Sequence, residues 1–265
     1  MQRDEMDVWF DFTNDSISQS GLGYWDGFWK GPFGEELKHG IRGSNPNTDS
    51  ETLRKYHRLL WNRELPNGQL MELEWGGSDN RLFLWNGMKF ASEYLTTAFI
   101  GRWSDSPFQG VLDAVVDSTP DYRSYVEGYL HDFNTIGGFV ILPVQLIGLR
   151  RVFTMKSRKP LHGRWDLMLE CIRRHYAGED NLLSDACRRD IEFLNLFVDF
   201  EGYVQFFYLQ DCLDSATGKV KFWIGDGDLR NDTLPRDVEE YRKWIEAQRE
   251  FVKARNIRIE KALET

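Results

Sequence analysis

The sequence has no apolar run of the length that a membrane span requires, which is about 18 residues. One of its longest apolar stretches, Phe139–Leu142, stops at Pro143. The N-terminal segment, MQRDEMDVWF, is charged and has no apolar signal region, which favours a cytoplasmic protein. We therefore expect neither membrane insertion nor secretion.

Side chains that commonly bind metals are also scarce. The cysteines have no CxxC spacing, and the five histidines are scattered along the chain. A zinc site needs clustered ligands, so the sequence predicts no metal site and three reduced, partly buried thiols. These cysteines are Cys171, Cys187 and Cys212.

Several well-known catalytic motifs are missing as well. The chain has no GxxxxGK[ST], GxGxxG, GxSxG or HExxH pattern, so it signals neither nucleotide-binding loops nor serine or zinc hydrolases. Asp226-Gly227-Asp228 resembles the start of a calcium loop, but Arg230 and a missing glycine spoil it. A nuclease-like D…ExK set, made of Asp26, Glu36 and Lys38, lies in a glycine-rich loop and is best explained by chance. No cofactor is identified.

The composition itself is that of a globular protein. Of 265 residues, 41% are hydrophobic and 28% are charged, which suffices for one sizeable core. The formal net charge is −9, which argues against a protein whose whole surface binds nucleic acid.

Hydrophobic periodicity predicts a mixed N-terminal half. Thr48 and Glu51 fit a capping box before a helix over 50–61. Two further helices are expected at Ser106–Val116 and Pro120–Leu130. The predicted strands are 7–12, a hairpin over 69–86, and 139–142 with 150–155 as its partner.

The C-terminal half reads as mainly helical. Helices are predicted from Arg164 to Tyr176, from about Ser184, over Gly202–Leu213 and over Pro235–Ala262, with a strand or extended segment at 220–224. No linker divides the chain. We expect a single α+β domain over 1–265, with a small mixed or antiparallel sheet packed by several helices and a mainly helical part over 164–262.

One charge anomaly points to a site. No Asp or Glu occurs from Phe133 to Trp165. That window contains Arg150, Arg151, Lys156, Arg158, Lys159 and Arg164, and Arg173 and Arg174 on the following helix could extend it. Arginine forks beside a helix start suit phosphate, so we predict that these eight residues bind an anion. The alternative is a salt-bridged surface without a ligand.

The same helix supplies the candidate acid–base groups, Glu170 and His175. Glu170 also forms an i,i+4 pair with Arg174 that could serve only as helix support. Asp166 in the first turn could simply complement the helix dipole. His57, on the 50–61 helix, is interpreted as a hydrogen-bonded boundary residue and not a catalyst.

Several stretches together resemble a known family. They are GSNPNTDSETLRKYHRLLW with LPNG (43–68), TIGGFVILP (135–143), RWDLMLECIRRHYAGEDNLLSD (164–185), FVDFEGYVQFFYLQD (197–211) and PRDVEEYRKWIEAQREFVKARN (235–256). They resemble an uncharacterised bacterial family known only as a domain of unknown function. The match is weak around 20–42, 76–130 and 144–163. The resemblance implies a soluble bacterial protein and supplies no catalytic residues.

Two hypotheses of function follow. In the first, the chain binds a phosphate-bearing small molecule or nucleic acid through the basic window and, if it is an enzyme, uses Glu170 or His175 on it. In the second, it is a non-enzymatic interaction module in which the basic strip 150–164 docks an acidic protein partner and the aromatic loop 24–33 supplies anchors. Glycan binding through Trp25 and Trp29 is the least favoured reading.

Overall fold

The computed structural model describes residues 5–17, 21, 23, 44–76, 82–95, 109–147, 164–228 and 234–264. Within these ranges the protein is α+β, with nine α-helices of defined bounds, a helical segment at 144–147 and one four-stranded antiparallel sheet. The helices are α1 Pro46–Asp49, α2 Glu51–Trp61, α3 Gln109–Asp117, α4 Tyr122–Phe133, α5 Trp165–Tyr176, α6 Ser184–Arg189, α7 Ile191–Asn195, α8 Phe200–Phe206 and α9 Val238–Leu263. The strands are β1 Glu74–Trp75, β2 Leu82–Trp85, β3 Met88–Tyr94 and β4 Phe139–Pro143.

The sheet has the order β1-β2-β3-β4. Its first two strands confirm the predicted hairpin, with Trp75 opposite Phe83. All five residues of β4 are buried, as its uninterrupted apolar run predicts. Strand β4 pairs with β3 from Phe139 opposite Tyr94 to Pro143 opposite Phe90. The predicted partner, 150–155, lies outside the described residues.

Helices with a clear apolar stripe form where they are predicted. Helix α2 buries Leu53, Tyr56, Leu60 and Trp61, and α5 ends at Ala177 before Gly178, which has a positive φ of 70°. Long helix α9 packs against α3, α4 and the turn at 136–138. None of the helices within the described ranges combines the length and apolarity needed to span a bilayer.

The predicted strand over 7–12 is wrong. The chain turns there, with Phe10 N–H donating to the Asp7 carbonyl at 3.1 Å, and a 3-10 helix follows at Phe12–Asn14. Asp11 causes this turn, because its carboxylate accepts hydrogen bonds from the Thr13 N–H at 2.9 Å and from the Thr13 hydroxyl at 2.7 Å. Such local bonds compete with strand pairing. Phe12 is nevertheless fully buried.

Two further predictions need correction. The N-cap of α2 is Ser50 and not Thr48: Ser50 Oγ accepts from the Leu53 N–H at 3.0 Å and donates to Asp15 at 2.7 Å. The helix predicted over Gly202–Leu213 divides into α8 and a 3-10 turn at Gln210–Cys212, because Tyr208 between them has φ 56°.

The Gly137-Gly138 pair is a packing site for α9. A Cβ at Gly137 would lie 2.4 Å from the Val252 carbonyl oxygen, so only glycine allows this approach. Arg255 of α9 is fully buried and donates to the carbonyls of Gly137 at 2.8 Å and Phe139 at 2.8 Å. Burial lowers the pKa of Arg255 to about 9. Helix α9 thereby fixes the turn that leads into β4.

Candidate functional site

Arg164, the N-cap of α5, is buried against its own helix. Its Nε and Nη2 donate to the Asp166 carboxylate at 2.9 and 2.6 Å, and both side chains are at most 1% exposed. Asp166 also accepts from the Trp223 N–H, and Arg164 donates to the Ile224 carbonyl, each at 2.9 Å. The pair therefore anchors 223–224 to the start of α5, which is more than complementing the helix dipole.

Arg173 and Arg174, further along α5, both bind Glu170. Arg173 donates from Nε and Nη2 at 2.8 and 2.9 Å, and Arg174 donates from Nε at 2.7 Å. Arg173 also pairs with Glu179 at 3.0 Å. Burial raises the pKa of Glu170, but the hydrogen bonds from both arginines outweigh it, so the net pKa lies below its ordinary value. The ionised Glu170 carboxylate thus accepts hydrogen bonds from two arginines.

His175 lies near the end of α5, half-buried and in edge contact with the Tyr176 ring at 5.6 Å. Burial lowers the pKa of His175, so the neutral ring is favoured. The acid–base roles of Glu170 and His175 stay predictions. Other predicted site residues lie outside the described ranges, and their anion-binding role also stays a prediction: Arg150, Arg151, Lys156, Arg158 and Lys159. The aromatic loop 24–33 and the set Asp26, Glu36 and Lys38 lie outside them too.

His57 belongs to a closed network under α2. Its Nδ1 accepts from the Trp61 indole N–H at 3.0 Å, so its proton is on Nε2, which donates to Ser92 Oγ at 2.8 Å. Ser92 in turn donates to Asn47 Oδ1 at 2.8 Å. Burial, assisted by the charge of Arg255, lowers the pKa of His57 to about 3. A ring already protonated on Nε2 cannot deprotonate Ser92, so the pair lacks the base of a serine nucleophile.

The opposite, outer face of α2 carries three cations. Arg54 and Arg58 are half-buried and Lys55 is exposed. Arg54 Nη1 donates to the Thr48 carbonyl at 2.9 Å, and Arg58 Nε donates to the Leu73 carbonyl at 3.1 Å. Within the described part of the chain, no carboxylate oxygen lies within 4.0 Å of these three groups. We call Arg54, Lys55, Arg58 and Trp75 the α2 cation face.

Trp75 of β1 holds the two guanidinium groups. Their central carbons lie 5.9 Å (Arg54) and 5.5 Å (Arg58) from the indole centroid, which is cation–π distance. Phe83 stacks on the same indole at 5.4 Å with an interplanar angle of 26°. A surface pocket of about 340 Å³ opens between Arg54, Lys55, Trp75 and one acid, Glu51. The arrangement presents fixed N–H donors and a mobile ammonium to solvent.

The α2 cation face was missed at the level of sequence, although part of its signal is there. Residues 54, 55 and 58 fall between the predicted inward positions of the 50–61 helix, so they share its outer side. A search for acid-free windows passes over them because Glu51 is close in sequence. Trp75 belongs to another element, and no local pattern places it on α2.

Other chemistry finds less support in the described ranges. There, no three His, Cys, Asp or Glu side chains are grouped so as to hold a metal ion. Cys171, Cys187 and Cys212 are buried free thiols. Burial raises the pKa of Cys171 to about 12 and that of Cys187 to about 11, so neither has the low thiol pKa of a reactive cysteine.

Comparison with known proteins identifies the family of this chain. No curated protein and no solved structure matches this chain. A family model described as a family of unknown function (DUF6994) matches residues 6–259. That match includes every described helix and strand except the end of α9. The chain therefore belongs to the family of unknown function DUF6994.

Proposed function

We propose that this protein binds a phosphate-bearing ligand, a nucleotide or nucleic acid, and that the α2 cation face contacts its phosphates. One observation carries the proposal: three cations on one helix face have no carboxylate within 4.0 Å among the described residues. In an acid-rich chain with net charge −9, most exposed cations are expected to find an acid. Cations that do not are available to an external anion.

The geometry suits an oxyanion. Arg54 donates one N–H to the Thr48 carbonyl, and Arg58 donates one N–H to the Leu73 carbonyl. Each guanidinium therefore keeps further donors for a ligand. Stacking against Trp75 reduces the freedom of both groups before a ligand arrives. Preorganised donors cost less ordering entropy on binding. Lys55 adds a third, flexible charge beside them.

We propose a binding function here and no catalytic step. Glu170 accepts hydrogen bonds on both carboxylate oxygens, from Arg173 and Arg174. These hydrogen bonds favour the ionised carboxylate and so oppose proton uptake by Glu170. Five further phosphate contacts stay proposed: Arg150, Arg151, Lys156, Arg158 and Lys159. The proposal for the α2 cation face does not depend on them.

The test is a binding titration of a fluorescein-labelled single-stranded oligonucleotide by fluorescence anisotropy at several salt concentrations. For Arg54→Gln/Arg58→Gln we expect affinity to fall about tenfold or more, because charge-assisted hydrogen bonds are lost. The slope of log affinity against log salt should shrink by about 0.7 per lost phosphate contact. The matched control is Arg123→Gln/Arg236→Gln, which removes the same charge from two guanidinium groups that pair with Glu127 and Glu240. Equal losses in both variants, or no binding by the wild type, would contradict the proposal.

A further inference from the structure

We infer that the α2 cation face recognises a row of phosphates and not the bases attached to them. This inference rests on the proposed function and narrows its ligand class to a phosphate chain, either a nucleic-acid backbone or a free polyphosphate. It follows from what already contacts Trp75, the aromatic side chain of the site.

A base would need an open aromatic surface on which to stack. The Trp75 indole already contacts Phe83 at 5.4 Å and the two guanidinium groups at 5.9 and 5.5 Å. Trp75 is 37% exposed, but the Phe83 ring and the two guanidinium groups already lie against the indole. The indole therefore supports Arg54 and Arg58, and what it offers to a ligand is their N–H groups.

The spacing of the cations also suits several phosphates. Arg54 and Arg58 are separated by one helical turn, which places their Cβ atoms about 5–6 Å apart along α2. The pocket between Lys55 and Arg54 is open and contains one acid, Glu51. A single buried phosphate site would enclose its ligand, whereas this row of cations follows the surface. Phosphate contacts of this kind position a chain without reading its bases.

The experiment compares probes with and without bases on the same protein. Labelled dT12 is displaced by unlabelled dT12, by an abasic 12-mer with the same backbone, by ATP and by tripolyphosphate. We expect dT12 and the abasic 12-mer to compete within about twofold of one another, and ATP and tripolyphosphate likewise. Comparing the affinities of the two 12-mers with those of ATP and tripolyphosphate then identifies which phosphate chain the protein prefers.

A variant of the indole sharpens the comparison. If Trp75 only supports the guanidinium groups, Trp75→Leu weakens all four competitors by the same factor. If a base stacks on the indole, the variant weakens dT12 and ATP and spares the abasic 12-mer and tripolyphosphate. Trp75→Phe, which keeps an aromatic ring against Phe83, should retain most of the binding, and thermal unfolding checks that both variants are folded.

The outcomes separate the two proposals. Equal affinity with and without bases supports the inference. A preference of tenfold or more for dT12 over the abasic 12-mer overturns it and leaves the proposed function standing. Binding of no probe, or binding unaffected by Arg54→Gln/Arg58→Gln, overturns both.

Discussion

Three cations lie on α2 and three lie on α5 and its N-cap, and the two sets make different contacts. Arg164, Arg173 and Arg174 of α5 all bind carboxylates, at 2.6, 2.8 and 2.7 Å. Arg54 and Arg58 of α2 bind only carbonyls and an indole face. The α5 set therefore contacts acids of this chain, whereas the α2 set contacts no acid among the described residues. The anion-binding role predicted for Arg164, Arg173 and Arg174 stays a prediction.

The contacts of a cation depend on where the acids lie in space and not on where they lie along the chain. In sequence, the α5 cations border the acid-free window Phe133–Trp165, whereas the α2 cations follow Glu51. In space the order is reversed, because Asp166 and Glu170 fold back onto the α5 arginines while Glu51 stays more than 4.0 Å from the cations of α2. Charge counted along a chain is therefore a poor guide to charge across a surface.

The largest effect is expected at the buried pair of α5. Asp166→Ala leaves the Arg164 guanidinium buried without its carboxylate, and breaking such a pair typically costs about 3–5 kcal/mol. Chemical denaturation should show this loss in the free energy of unfolding. Glu127→Ala, which breaks the exposed pair with Arg123, should cost under about 0.5 kcal/mol. Similar losses in both variants would remove the structural role given to Arg164.

The inner face of α2 should respond to pH through His57. Its pKa is lowered from 6.5 to about 3 in the folded protein, so between pH 6.5 and about 3 the unfolded chain binds a proton that the folded protein does not. As the pH falls through this range, this group should therefore lower the free energy of unfolding by about 1.4 kcal/mol per pH unit. Nitrogen NMR of the ring should show a proton on Nε2 and no titration between pH 5 and 8. A titration near 6.5 would contradict the network.

Glu170 should stabilise α5 by a smaller amount. Glu170→Gln removes charge from the acceptor of Arg173 and Arg174 and should lower the free energy of unfolding by about 1 kcal/mol. Because the pKa of Glu170 is depressed, its contribution is present above the ordinary pKa of 4.5 and is lost as the pH falls below it. The wild type and the variant should thus converge in acid. A constant difference down to pH 2.5 would argue against this ionised pair.

The smallest effect on stability is expected on the outer face of α2. Lys55 is exposed and has no ion pair among the described residues, so Lys55→Gln should change the free energy of unfolding by under about 0.5 kcal/mol. The same variant should weaken oligonucleotide binding severalfold. Lys243→Gln is the control, since Lys243 pairs with Glu239 on α9. A large loss of stability in Lys55→Gln would mean that this lysine is structural.

Much of the fold could be predicted because periodic apolar stripes report burial directly. The α5 stripe and the all-apolar β4 are examples. The strand over 7–12 failed because Asp11 offers its neighbours local hydrogen bonds that outcompete pairing. Phe12 is nevertheless buried, so the apolar residues of this segment belong to the core although its backbone does not form a strand.

The candidate site was less predictable, since it depends on contacts between distant residues. Arg58 meets Trp75 and the Leu73 carbonyl only after the β1 strand packs beside α2. The tight Gly137 contact with α9 likewise joins residues more than a hundred positions apart. Residue types and helical spacing could place Arg54, Lys55 and Arg58 on one face. Only the folded chain shows how far the acids lie from them.

The most direct test compares matched double variants of the two helices. Arg54→Gln/Arg58→Gln in α2 and Arg173→Gln/Arg174→Gln in α5 remove the same charge from the chain. Both are titrated with labelled dT12 at one salt concentration, and both are unfolded in denaturant. We expect the α2 variant to lose binding with little change in stability and the α5 variant to lose stability with little change in affinity. Loss of binding in the α5 variant alone would contradict this expectation.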